Sequence, residues 1–286
     1  MVRLLSAAAP AKINLFLRVT GRRPDGYHEL DSIFVPISLC DQIRIEQRPA
    51  SGRSVALHTN VDALPLDDRN LAVRAALAFM TEFAIEADVR IELQKIIPIG
   101  AGLGGGSSDA GTVLRMMAAL NRIEARHALT EIAMRLGADV PFFLDPVAAR
   151  VRGIGERIAP LAAFPRLALV VAAPPLEVST AEIFRELLPD HWSGPAPDDD
   201  VQALLDGRVT SAMLVNDLAR VAIAKWPVIA RYQALVEKCG ARASAMTGSG
   251  SAIFGVFDSI AEAAAAAVEL RRRAPEARIF DVSSLA

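Results

Sequence analysis

Eleven consecutive residues, Pro98-Ile99-Gly100-Ala101-Gly102-Leu103-Gly104-Gly105-Gly106-Ser107-Ser108, have the composition of a phosphate cradle. Glycines let successive backbone N–H groups converge on one point. A helix starting at the serines would add its own unpaired N–H groups and positive dipole end. The flanks supply such a frame. Val89 to Ile97 reads as a strand and Asp109 to Asn121 as a helix, so the run is not a flexible linker. Three familiar phosphate loops are excluded. No Lys follows the last glycine, as a Walker loop requires. Gly100, Gly102 and Gly105 match a dinucleotide fingerprint, but Ile91 and Leu93 alternate with Glu92 and Gln94, which predicts a half-exposed strand rather than a buried parallel one. No H-R-D or D-F-G run accompanies the loop, against a protein kinase.

Other residues could do chemistry, each beside a plainer reading. Lys12 alternates with apolar neighbours in a strand over Ala11 to Val19. A lone Lys there fits an edge-strand gatekeeper, although Asn14 on the same face also fits the wall of a polar pocket. Tyr27-His28 follows an Arg-rich turn region; an aromatic ring can stack on a nucleobase while an imidazole bonds its edge. Asp139 lies between apolar residues, where a turn or cap is the commoner use. Phe184 lies in a predicted helix and has a core reading. His58 reads as structural.

Stretches along the whole chain carry a resemblance. Pro98 to Ser108 with the Asp109-Ala110 that follows, Ala9-Pro10-Ala11-Lys12-Ile13-Asn14-Leu15, Leu136-Gly137-Ala138-Asp139-Val140-Pro141-Phe142 and Thr247-Gly248-Ser249-Gly250-Ser251 resemble motifs of the GHMP kinases. Pro24-Asp25-Gly26-Tyr27-His28-Glu29-Leu30 resembles the members whose phosphoryl acceptor carries a cytidine diphosphate group. The resemblance implies an α+β fold with two domains, 1–160 like ribosomal protein S5 domain 2 and 161–286 ferredoxin-like. It implies transfer of the γ-phosphoryl group of ATP, with Mg²⁺, to the 2-hydroxyl of a cytidyl-linked methylerythritol in non-mevalonate isoprenoid synthesis. Lys12 and Asp139 match the catalytic Lys and Asp. Pro98 to Ser108 would hold the triphosphate, and Asn70, Leu71 and Lys95 would lie near the adenine. Asn14, Tyr27, His28, Thr180, Phe184 and Thr247 would face the acceptor, and no metal ligand is assigned beyond Ser107 as a candidate.

Two competitors remain at this point. A homoserine- or mevalonate-type kinase would have no base for Tyr27-His28 to hold. An ATP-sensing module without turnover would need neither Lys12 nor Asp139.

Bulk properties agree. The 286 residues are 52% hydrophobic, enough for a sizeable core, and the formal net charge of -2 argues against a nucleic-acid footprint. Cys40 and Cys239 have no metal spacing and suit a reducing, cytoplasmic setting. No signal or membrane segment is expected, and no obligatory protein partner is evident. The remaining pattern predicts strands at Ser32–Ser38, Gln42–Glu46, Val55–Val61, Arg166–Ala173, Ala241–Met246, Ala252–Phe257 and Arg278–Ser283, and paired strands around Gly153 and Gly155 within Ala148–Pro160. It predicts helices at Leu71–Phe83, Thr130–Leu136, Thr180–Leu188, Arg208–Lys225, Pro227–Lys238 and Ser259–Ala274, and an acidic Pro/Gly loop at Pro189–Asp200.

Overall fold

A computed structural model describes residues 1–285. The chain divides into two compact units, each assembled from separated stretches. Unit 1 comprises Met1–Ala11, Cys40–Ile97 and Gly104–Pro146; unit 2 comprises Lys12–Leu39, Pro98–Leu103 and Val147–Ala286. Two long strands, β1 (Arg3–Arg22) and β2 (His28–Pro49), pair with each other, and each runs from one unit into the other. The runs predicted as separate strands at Ser32–Ser38 and Gln42–Glu46 are one strand. Leu39, Cys40 and Asp41 continue the extended backbone instead of turning.

In unit 1, β3 (Arg53–Thr59) pairs parallel with β4 (Ala87–Gln94), and β4 pairs antiparallel with the Gln42–Pro49 end of β2. β4 alternates strictly, with Val89, Ile91 and Leu93 buried and Asp88, Arg90, Glu92 and Gln94 outward, as its sequence predicts. Its inner face packs with Ile43 and Ile45 against helices α1 (Leu71–Glu82) and α2 (Gly105–Asn121), through Ala76, Phe79, Val113, Leu114 and Met117. Helix α3 (Arg126–Leu136) joins this core through Ile132 and Ala133. Helix α2 begins inside the glycine run, four residues before the predicted start at Asp109. A 3-10 turn, Val140–Leu144, lies close on α2: a Cβ on Gly111 would sit 2.6 Å from the Cβ of Phe143.

In unit 2, residues 30–34 of β2 pair antiparallel with β5 (Ala149–Gly153), which pairs with β6 (Arg157–Pro160). A separate antiparallel sheet has the order β10-β7-β9-β8, from β7 (Ala168–Ala173), β8 (Ala243–Met246), β9 (Ile253–Phe257) and β10 (Arg278–Ser283). Helices α4 (Thr180–Glu186), α5 (Asp198–Leu205), α6 (Asp217–Lys225), α7 (Val228–Lys238) and α8 (Ile260–Arg273) complete the unit. The predicted helix 208–225 is a correction. Its first half is not helical, and α6 starts only after Asn216, whose side chain accepts from Leu218 N. Helix α5 lies partly in the predicted acidic loop. Pro197 precedes Asp198, Asp199 and Asp200, and three carboxylates in a first turn complement the helix dipole.

Candidate active site

The predicted site residues gather in two groups, each within its own unit. The first is in unit 2, on β1. Lys12 is 3% exposed, so it is no solvent-facing gatekeeper. Its Nζ donates to Asn14 Oδ1 at 2.6 Å and stands 4.6 Å from the ring centre of Phe34. Asn14 is held on every side. Its Nδ2 donates to Ser32 Oγ at 2.9 Å, its backbone N donates to Thr247 Oγ1 at 2.9 Å, and Thr247 Oγ1 also lies 3.4 Å from Asn14 Oδ1. Lys12, Asn14 and Thr247 are thus one buried hydrogen-bonded cluster. A buried ammonium is suited to meeting an anion.

The first half of the glycine run is sewn to the same cluster. Leu103 O accepts from Lys12 N at 3.0 Å, Ala101 O from Ala252 N at 3.1 Å, and Gly100 O from Val178 N at 3.0 Å. Gly102 has φ +76°, and a Cβ there would lie 2.2 Å from Thr247 O. Gly248 answers it, with a Cβ that would lie 2.7 Å from Gly102 O. Two glycine-rich loops distant in sequence therefore meet backbone to backbone.

Also in unit 2, His28 is 8% exposed and stacks on Phe184, with ring centroids 5.3 Å apart and planes at 26°. Burial, helped by the charge of Arg22, pushes the His28 pKa down, so the imidazole is neutral at pH 7 and offers one donor and one acceptor. Its Nε2 is buried with no hydrogen-bond partner among the described residues. Phe184 lies one turn along α4 from Thr180, whose Oγ1 is 2.8 Å from Ser249 Oγ. Ser179 caps this helix by accepting from Glu182 N. Tyr27 is 61% exposed and makes no ring contact with His28 or Phe184 among the described residues.

The second group is in unit 1. Gly104, with φ +72°, is the N-cap of α2 and offers no capping side chain. Ser108 N is bonded to Gly104 O at 2.8 Å, so the N–H groups of Gly105, Gly106 and Ser107 precede the first full helical turn. Leu71 Cδ1 would be 3.7 Å from a Cβ on Gly106. Asn70 caps α1, its Oδ1 accepting from Ala72 N at 3.0 Å and its Nδ2 donating to Pro65 O at 3.1 Å. Lys95 lies beneath the turn. Its Nζ donates to Asp109 Oδ2 at 2.8 Å and to Asp41 Oδ2, and would be 3.1 Å from a Cβ on Gly105. Burial works against the Lys95 ammonium, but the two carboxylates outweigh it and hold its pKa above the usual value. Burial pushes Asp109 up to about 7; Lys95 opposes this and Asp41 adds to it. Asp139 precedes the 3-10 turn, is half-buried, and makes no capping hydrogen bond through its side chain. Asp139 stands in a turn, at the cap position of the 3-10 segment, so its plainer reading as a turn residue agrees with the geometry.

Comparisons with known proteins bear on this arrangement. Residues 70–145 match the family model described as GHMP kinases N terminal domain, and residues 207–276 match GHMP kinases C terminal. A 4-diphosphocytidyl-2-C-methyl-D-erythritol kinase of Geobacter metallireducens is 40% identical over 268 residues, covering 93% of this chain and 94% of that protein. The chain belongs to the 4-diphosphocytidyl-2-C-methyl-D-erythritol kinase family. A crystal structure of 4-(cytidine 5'-diphospho)-2C-methyl-D-erythritol kinase, 38% identical, matches with a TM-score of 0.83 over 99% of this chain and all of that one, 100%. A homoserine kinase from Cytophaga hutchinsonii reaches a TM-score of 0.74 at 18% identity over 99% of this chain and 95% of that one, a likeness of fold alone.

Against this family background, sequence reasoning missed three side chains that organise the two groups. Asp41 receives Ile96 N at 2.5 Å and Ile97 N at 2.8 Å on one oxygen and Lys95 on the other, so it fixes the chain as it leaves β4. Asp109 completes that buried triad. Ser32 links Asn14 to the carbonyl of Phe16. The one signal for Asp41 was a carboxylate between two apolar strand-like runs, which does not name its partner. Ser32 carries no such signal.

Proposed function

We propose that this chain transfers the γ-phosphoryl group of ATP to the 2-hydroxyl of 4-diphosphocytidyl-2-C-methyl-D-erythritol, in the cytoplasm. The relatives' names support the substrate. The observation that carries it in this chain is His28, buried and neutral on the face of Phe184 with an unpaired ring nitrogen. A pocket for homoserine or mevalonate has no base for it to bond.

Phosphoryl transfer asks a protein chiefly for positioning and charge stabilisation. In our reading the N–H groups at the start of α2 hold the triphosphate. Leu71 and Asn70 flank the adenine, and Lys95 acts there by bracing the loop. Lys12 stabilises negative charge on the attacking oxygen and the transferred group. Asp139 accepts the proton of the attacking hydroxyl. Tyr27 and Phe184 hold the cytosine, His28 bonds its edge, and Asn14, Thr180 and Thr247 orient the acceptor.

Among the described residues no group of three or more His, Cys, Asp or Glu could hold a metal. Mg²⁺ binds through oxygens, and the hydroxyls of Ser107 and Ser108 at the phosphate loop have that chemistry; Ser108 Oγ is buried without a partner. When bound with ATP, Mg²⁺ neutralises phosphate charge. No helix among the described residues is long and apolar enough to cross a membrane. Cys40 and Cys239 are free thiols, which fits a reducing compartment.

The test is a phosphorylation assay with the cytidyl acceptor and with methylerythritol phosphate lacking the cytidyl group. The cytidyl acceptor should be used far better. Tyr27→Ala should raise its KM by roughly one to two powers of ten, taking about 1–3 kcal/mol for a base stacked on an aromatic, and leave the KM for ATP in place. Equal use of both acceptors would return the chain to a general small-alcohol kinase.

A further inference from the structure

The Pro189–Asp200 segment, to which the sequence assigned no role, is pinned at three successive points within unit 2. Ser193 N donates to Asp217 Oδ2 at 2.9 Å and its hydroxyl to Asp217 Oδ1 at 2.5 Å. Gly194 N donates to Val19 O at 3.1 Å. Ala196 N donates to Asp31 Oδ2 at 3.0 Å, and Asp31 is clasped by Arg150 at 2.9 and 2.7 Å. Asp31 and Asp217 are both buried, so these ties are sheltered from water. They fix the backbone next to Trp192, whose ring stands against His28 at a centroid distance of 5.9 Å and an angle of 83°.

Three buried side-chain polar atoms in this unit have no hydrogen-bond partner among the described residues: Trp192 Nε1, His28 Nε2 and Arg18 Nε. They belong to one neighbourhood. His28 touches the Trp192 ring, and Arg18 Nη1 reaches Ser193 O at 3.4 Å. Elsewhere in the unit the buried Asn14, Ser32, Asp31 and Asp217 are all bonded. Buried polar atoms are rarely left unmatched, so a local group of them marks a place where a ligand supplies partners. Cytosine presents two acceptors, ring N3 and the carbonyl O2, beside its amine.

We propose that Trp192 is a further recognition residue of the pyrimidine subsite, its indole N–H donating a hydrogen bond to a ring acceptor of the bound cytosine. This rests on the cytidine pocket proposed above and adds to it a residue from the acidic loop. The loop's ties are then the means by which the indole is pre-positioned, which lowers the ordering cost of binding.

The chain has two tryptophans, so Trp226→Phe leaves Trp192 as the sole indole reporter. Trp226 lies at the end of α6, outside the proposed machinery. Cytidine monophosphate titrated into that variant should shift or quench the emission saturably, with the midpoint found by calorimetry. Trp192→Phe keeps a ring and removes the donor. Its dissociation constant for cytidine monophosphate and its KM for the cytidyl acceptor should both rise about 3- to 10-fold, the loss of one neutral hydrogen bond, with the KM for ATP unchanged. Wild-type nucleotide affinity in Trp192→Phe overturns the proposal and leaves the cytidine pocket standing. If that variant fails to fold, an emission unmoved by saturating nucleotide in Trp226→Phe overturns it. A wild-type protein that binds no cytidine monophosphate at millimolar concentration brings down the pocket and the Trp192 role together.

Discussion

Gly102→Ala tests whether the phosphate loop depends on its backbone contact with the Thr247–Ser251 loop. Gly102 has φ +76°, so any side chain there has a left-handed cost of roughly 1–2 kcal/mol. The added Cβ would also stand 2.2 Å from Thr247 O and 3.0 Å from Gly250 N, both backbone atoms that cannot rotate away. Restoring an ordinary contact means separating the loops by about 1 Å, which takes a hydrogen bond of ordinary length out of range. Three bonds hold the loop on either side of Gly102, to Val178 N, Ala252 N and Lys12 N. At about 1 kcal/mol each, their loss brings the total to roughly 4–5 kcal/mol. Gly240→Ala is the internal control: it lies in the same unit at φ +97° with nothing within 4 Å of its Cβ, so it has the left-handed cost alone. At about 2–4 °C per kcal/mol for a chain of this size, Gly102→Ala should melt on the order of 10 °C below wild type and Gly240→Ala only a few degrees below. Scanning calorimetry on the three proteins decides it. Equal shifts in the two variants would show that the loops separate without resistance, and the account of their reciprocal glycines would be wrong.

Asp139→Asn should lower kcat by roughly 10²–10⁴-fold, as expected for loss of a general base, with ATP affinity by calorimetry unchanged; near-normal turnover removes Asp139 from the chemistry. Gly106→Ala should fold at least as stably as wild type, because Gly106 is helical and a Cβ there meets only Leu71 Cδ1 at 3.7 Å, yet it should bind ATP more weakly. Undiminished ATP affinity would mean that phosphate does not approach this residue. Asp109, pushed up to about 7 in the fold from an ordinary value near 4, holds its proton more tightly folded than unfolded. Its contribution to stability is therefore full below about pH 4 and is lost as pH rises toward 7. Asp109→Asn, which does not titrate, should gain on wild type by on the order of a few kcal/mol between pH 4 and 8 in denaturant melts; a pH-independent difference would refute the shift.

The sequence made some elements plain and hid others for physical reasons. β4, α1, α8 and β10 were legible because amphipathic period and caps agree, as at Asn70 and Ser259, whose side chains accept from Ala72 N and Glu262 N. The joined strand β2 was not, because Asp41 interrupts the apolar pattern between its two halves. Asp41 is buried there by Lys95 and two backbone N–H groups far along the chain, and no local rule shows such partners. The false helical start at Arg208 has the same origin. Asn216 serves as the true cap while its Nδ2 donates to the carbonyls of Met246 and Gly248, a tertiary use of a local signal.

The glycines of the run divide by cause. Sequence reasoning gave them one purpose, close approach to phosphate. In the structure Gly100 is required against Glu177, where a Cβ would fall 2.9 Å from the Glu177 Cβ, and Gly102 against Thr247 O. Gly105 is tight against Ile97 Cγ2 at 3.0 Å and the Lys95 ammonium at 3.1 Å, so the triad with Asp41 and Asp109 braces the loop from beneath. Gly106 alone among these four has both an ordinary φ and room for a Cβ, and it is exposed at the start of α2. Gly104, the fifth glycine of the run, is required by its φ of +72°. Packing and backbone conformation thus explain four glycines without a ligand and leave Gly106 unexplained by the fold. Under the proposed function, the position that the fold leaves free is the one where a phosphate oxygen, rather than the protein, would exclude a side chain.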